Sequence, residues 1–241
     1  MIHSQQQLEK IIAEWGLLPF FRCGIDGFSI EEMTPEELWF NDERPGPWEW
    51  KGPIIGNWQC AYGKFFAGKA GYISLEWMPD FINWRRGIYP IEKKSSEARH
   101  VYEVLKEHES MLSHELKLAS GYSLRRTNRR PVRNISDLAE RDSQRKNDTD
   151  KETKPKGSTC DALIAELEMA TYVCIADFEY KMTKDGRRYG WGVARYCTPE
   201  AMYGEGITHT DSTPRESQER IAKHIKQLFP QATDKQISRL L

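Results

Sequence analysis

Leu8, Ile11, Ile12 and Trp15 fall on one face of a 3.6-residue period, behind a Ser4/Gln7 capping box and ahead of Gly16. The chain therefore opens with an amphipathic helix. A short apolar run at 17–21 follows, and Thr34-Pro35-Glu36-Glu37 carries the threonine cap, proline and glutamate of a second helix start, closed by Pro45-Gly46-Pro47. Through 58–66 and 70–75 the pattern changes to the Tyr, Phe and Ile of strands, joined at Ala67-Gly68-Lys69 as a hairpin. Residues 76–86 return to helical spacing with Trp77, Phe81 and Trp84, and end on Arg85 and Arg86 before Gly87.

From 96 onward the periodicity gives a helix through Ala98, Val101, Val104 and Leu105, a break at 110–113, and a second helix through Leu112, Leu116 and Ala119. Ser158 or Thr159 caps a third, with Leu163, Ile164 and Leu167 as its apolar face. Two strands, 172–180 and 189–196, then flank Thr183-Lys184-Asp185-Gly186, a good hairpin signal. Three helices followed by a hairpin is the order of a winged helix. Such a wing brings Lys184, Arg187 and Arg188 to a phosphate backbone, whereas Asp161, Glu166 and Glu168 make the third helix a poor reader of DNA and suit a protein-contact scaffold equally. The expected fold is α+β, with an aromatic-rich α/β module at 1–94, a winged helix at 95–197 and packing helices at 198–241.

Charge changes this picture at one place. Residues 122–157 hold 11 basic and 6 acidic groups with few apolar ones, against 13 and 18 in 1–121, and read as a long basic loop inserted in the winged helix. The overall net charge of −1 leaves room for a nucleic-acid partner, which needs only one basic face. No apolar run approaches the roughly 18 residues of a membrane span, and the start MIHSQQQLEK lacks the apolar region of a signal peptide, so a cytoplasmic protein with no membrane partner is expected. Cys23, Cys60, Cys160, Cys174 and Cys197 contain no Cys-x-x-Cys pair, and His108 and His114 lack zincin spacing. No metal and no cofactor are expected.

The segment 48–87 holds five of the eight tryptophans. It admits two readings. In one, Lys51, Lys64, Lys69, Arg85 and Arg86 meet phosphates while Trp48 and Trp50 stack on or wedge bases; in the other, the aromatics are a core and the lysines its solvated rim. Glu49, Glu76 and Asp80 lie beside these tryptophans and are the carboxylates that base excision would use, although Glu76 also suits a helix N-terminus and Asp80 a solvated surface. A lesser alternative is a magnesium-dependent nuclease built on Glu49-Trp50-Lys51 with Asp42.

The runs PWEWKGPI, CAYGKFFAGKAGYISLEWMPDFINWRR, TYVCIADFEYK and VARYCTPEAMYG, with the TPRESQERI helix, resemble the AlkZ-related proteins of bacteria over nearly the whole chain. Those proteins take their name from AlkZ-type DNA glycosylases, which are built from tandem winged helices and remove alkylated or crosslinked bases. The resemblance implies binding of duplex DNA, damaged DNA included, and more weakly base excision. It transfers no catalytic residue. AlkZ-type enzymes carry a Gln-x-Asp or Gln-x-Gln motif near the N-terminus; here Gln5 and Gln7 have that spacing, in the first turn of the first helix, and Gln59-Cys60-Ala61 does not match. A non-enzymatic winged-helix DNA binder or a protein-interaction scaffold is the alternative.

Overall fold

The protein is described by a computed structural model covering residues 1–41, 44–123, 158–183, 185 and 188–241. Most of the expected basic loop, at 124–157, lies outside the described residues, as do Asp42, Lys184 and Arg187 and the side chain of Arg188.

The fold is mixed α+β. Ten α-helices, among the described residues, surround one six-stranded antiparallel sheet of order β1-β3-β2-β5-β6-β4. The first helix, α1 (Gln5–Trp15), is capped by Ser4 and ends at Gly16, as its pattern predicts. Gly16 has φ +71°, and a Cβ there would stand 2.2 Å from the Trp77 ring, so both conformation and space demand glycine. The run after it becomes the edge strand β1 (Leu17–Pro19), paired to β3 through Leu18↔Tyr72. A helix that the sequence does not announce follows, α2 (Ile30–Met33), capped by Ser29, and the expected second helix is only a 3-10 turn at Glu36–Leu38.

Segment 47–56 forms an element that the hydrophobic pattern does not announce. It contains Gly52, Pro53 and Gly56, yet forms helix α3 (Pro47–Gly56). Proline at its first position costs no hydrogen bond, Glu49 Oε2 accepts from Gly46 N at 2.9 Å, and burial of Trp50, Ile54 and Ile55 outweighs poor local propensity. Gly46 is required here, because a Cβ would lie 1.7 Å from the Leu38 carbonyl oxygen.

The expected hairpin forms as β2 (Cys60–Phe66) and β3 (Lys69–Ser74), with Tyr62 facing Tyr72, and delivers the chain into α4 (Met78–Ile88). Then come α5 (Ser96–Lys106), the two-residue strand β4 (Met111–Leu112), α6 (Ser113–Ala119) and, beyond the undescribed residues, α7 (Cys160–Met169). Strands β5 (Cys174–Met182) and β6 (Arg188–Cys197) close the second hairpin, and β4 pairs onto β6 at Met111↔Tyr196. A single bridge, Tyr62↔Ile175, makes the two hairpins one sheet. Helices α8 (Pro199–Tyr203), α9 (Pro214–Leu228) and α10 (Asp234–Leu240) complete the chain.

Candidate functional site

The cations of the aromatic segment are turned inward to different degrees. Lys51 on α3 is buried, with Nζ 4.1 Å from the Phe178 ring centroid and 4.8 Å from that of Trp48. Burial pulls its amine down to about 8, an effect that Glu49 partly opposes. Arg85 is buried too, donating to the Phe65 carbonyl at 2.9 Å and lying over Trp84. Arg86, on α4, forms an ion pair with Glu200 on α8, donates to the Thr171 carbonyl at 2.9 Å and covers Tyr172. Lys64 lies 3.3 Å from the buried Glu168 carboxylate. Only Lys69, the first residue of β3, is exposed, and its Nζ donates to the Arg22 carbonyl at 2.8 Å. Trp50 is buried, and Trp48 is half-buried against Phe20, Phe21 and Trp39.

The three carboxylates go to three different places. Asp80 is not at a solvated surface: it is buried, accepts from Ser217 Oγ at 2.8 Å and pairs with Arg220 at 2.7 Å, which ties α4 to α9. Glu49 is exposed, caps α3, and lines a cavity of about 660 Å³ together with His3, Gln5, Gln6 and Arg44. Glu76, also exposed, precedes α4 and lines a second cavity of about 340 Å³. Of the Gln5/Gln7 pair, Gln5 lines the larger cavity, whereas Gln7 accepts from the His3 backbone at 2.7 Å.

Each cavity takes lining residues from α1 and α3, the larger at the start of both helices and the smaller toward their ends. Glu9 lines the smaller one. Its Oε1 accepts from Gln5 at 2.8 Å and from Asn57 at 2.7 Å, stitching α1 to the end of α3. Ser74, at the end of β3, lines the smaller cavity, while its hydroxyl is enclosed by protein and has no hydrogen-bond partner among the described residues. Cys60 also lines it, but burial, with Glu9 adding to the effect, pushes the thiol up to about 12. A thiol so protonated is a poor nucleophile. Between Asn57 and Gln59 in the chain, Trp58 is 58% exposed with φ +56°, a conformation that tryptophan rarely adopts.

Sequence reading reached Glu49 and Glu76 but missed Glu9, Asn57, Gln59 and Ser74. Glu9 is an ordinary polar residue of an amphipathic helix, and Ser74 ends a strand; only packing brings them together. Among the described residues no group of three or more His, Cys, Asp or Glu could hold a metal ion, and no helix is long and apolar enough to cross a membrane.

An antiparallel sheet wrapped by helices, with two cavities beside its N-terminal helices, defines an α+β class without defining an activity. The chain belongs to the AlkZ-related family, whose model matches residues 2–241. No curated protein and no solved structure matches it.

Proposed function

We propose that this protein binds duplex DNA through a winged helix at 95–197 and is a relative of AlkZ-type DNA glycosylases acting on damaged DNA. The observation that carries this reading is the order α5, β4, α6, α7, β5, β6 with β4 paired to β6, the strand pairing that a winged helix requires. Membership of the AlkZ-related family supports it. Lys184, Arg187 and Arg188, between β5 and β6 and at the start of β6, supply the phosphate contacts, and Glu49 and Glu76, each at a cavity, are the carboxylates for base excision.

Fluorescence anisotropy with duplex, single-stranded and abasic-site DNA over a range of salt tests this. The duplex should bind and weaken steeply with salt, and the triple substitution Lys184→Ala, Arg187→Ala, Arg188→Ala should flatten the log–log slope by roughly 2.7, about 0.9 per lost phosphate contact. In glycosylase assays Glu49→Gln or Glu76→Gln should abolish base release and spare binding. No binding at low salt would sink the proposal.

The second reading is a protein-contact scaffold, and α7 favours it. In a DNA-reading winged helix the third helix is free to enter a groove. Here its carboxylates are committed: Asp161 to Lys117 at 2.8 Å, Glu166 to Lys94 at 2.8 Å, and Glu168 to Lys64 on β2. Its Leu163, Ile164 and Leu167 are buried, which leaves little helix face for a duplex.

A further inference from the structure

Three sulfur atoms meet where the second hairpin joins the C-terminal helices. Cys174 opens β5 and Cys197 closes β6, and the two are directly opposite in the ladder, so their side chains leave the same face of the sheet. Their Sγ atoms are 3.4 Å apart, and both thiols are free. Met202, on α8, brings its Sδ to 3.7 Å from Cys197 Sγ. Local chemistry fixes that approach, because Thr198 accepts from Ala201 N at 3.1 Å and starts α8 immediately after the strand. Cys174 is 0% exposed and Cys197 1%, whereas Met202, at 8%, is the outermost of the three. The hydrogen bond with Cys197 and burial push the Cys174 thiol well up, and Glu168 and Glu200 add to this. Both carboxylates are already paired, with Lys64 and Arg86.

We propose that Cys174, Cys197 and Met202 form a binding site for a soft monovalent metal ion of the copper(I) class. Thiolate and thioether sulfurs together select such an ion, because polarisable donors match a soft cation. Zinc fits poorly: its structural sites take four ligands from Cys, His and carboxylates, and among the described residues no cluster of those groups is present. Metal–thiolate bonds of about 2.3 Å in a trigonal plane hold their sulfurs about 4 Å apart. From separations of 3.4 and 3.7 Å the three sulfurs therefore spread only slightly to admit the ion. Met202 supplies both the freedom and the entry, since a methionine side chain turns about several bonds and this one lies nearest the surface. Binding forms two metal–thiolate bonds and one metal–thioether bond, and the two thiol protons go to solvent. The site is independent of DNA binding, so failure of either leaves the other intact.

Anaerobic titration of the reduced full chain against the coloured bicinchoninate complex of copper(I) tests it. The protein should take up copper in a single stoichiometric step, bleaching the visible band, and X-ray absorption at the copper edge should show a shell of sulfur neighbours only. Met202→Leu keeps a similar apolar volume and should weaken binding by about tenfold or more, at least the cost of losing an outer-shell partner, with one sulfur fewer at the copper. Cys174→Ala combined with Cys197→Ala should abolish uptake. Cys23→Ser, at the half-buried thiol beside the Phe28 carbonyl, should leave it unchanged. Nitrogen or oxygen neighbours at the copper, or undiminished uptake in a folded Cys174→Ala/Cys197→Ala variant, would overturn the proposal. So would failure of the wild type to take copper from the chelator, or displacement of the copper by equimolar zinc. If the double variant does not fold, the spectra of wild type and Met202→Leu decide, because an unchanged sulfur count without Met202 sinks the three-sulfur site.

Discussion

At the scale of single residues, Lys51 shows how an aromatic core can hold a cation. Its ammonium lies within 6.0 Å of three ring centroids, those of Phe178, Trp48 and Phe20, each a favourable quadrupole contact. Burial opposes it and draws the amine down to about 8. Because the folded state then binds fewer protons than the unfolded one between about 8 and the ordinary lysine value, wild-type stability rises with pH across that window. Lys51→Met fills similar volume and does not titrate. The stability of Lys51→Met relative to wild type should therefore be greatest at pH 7 and fall toward pH 10, as urea melts at several pH values can show. A constant difference would mean that the amine is not desolvated.

At the scale of elements, buried polar clamps fix how the helices meet. Asp80 and Ser217 are both buried and bonded to each other, Arg220 closes the pair from the surface, and Asn83 donates to Ser217 Oγ at 3.0 Å. Beside them Trp77 stacks on His224 with centroids 4.1 Å apart. Removing the carboxylate leaves a buried hydroxyl short of an acceptor and a guanidinium without its pair. Asp80→Ala should lower unfolding free energy by about 2–4 kcal/mol, visible as a reduced urea midpoint at unchanged slope. Stability within about 0.5 kcal/mol of wild type, the range of neutral surface changes, would show that the clamp is dispensable. An Asp80 variant that loses activity must therefore first be shown to be folded.

At the scale of the whole molecule, the sheet joins what the sequence divides. The expected boundary at 94/95 falls between two helices, but β2 and β5 meet across it at Tyr62↔Ile175, and Arg86 ties α4 to α8 and to the chain before β5. Lys64 and Glu168 cross the same line, with the Glu168 carboxyl raised by burial and partly restored by Lys64. Calorimetry should consequently give one cooperative unfolding transition. Two resolved transitions would place an independent unit on either side of residue 95.

Local chemistry determined much of this protein without tertiary information. Helix α1 between Ser4 and Gly16, both hairpins, the Thr213-capped α9 and the α+β class follow from caps, turns and periodicity, which act over a few residues and are written in a few residues. Three things followed only from the folded chain. Helix α3 forms against its own glycines and proline because Trp50, Ile54 and Ile55 find a core to enter. The basic platform became largely a set of internal ties, since the sequence shows that Lys51 and Arg85 are cations but not that aromatic rings and a carbonyl surround them. The smaller cavity, finally, gathers Glu9, Gln59, Ser74 and Glu76 from a helix, a turn, a strand end and a connection. Contacts between residues far apart in the chain leave no periodic trace in it, and their geometry was decided by burial of apolar surface around the sheet.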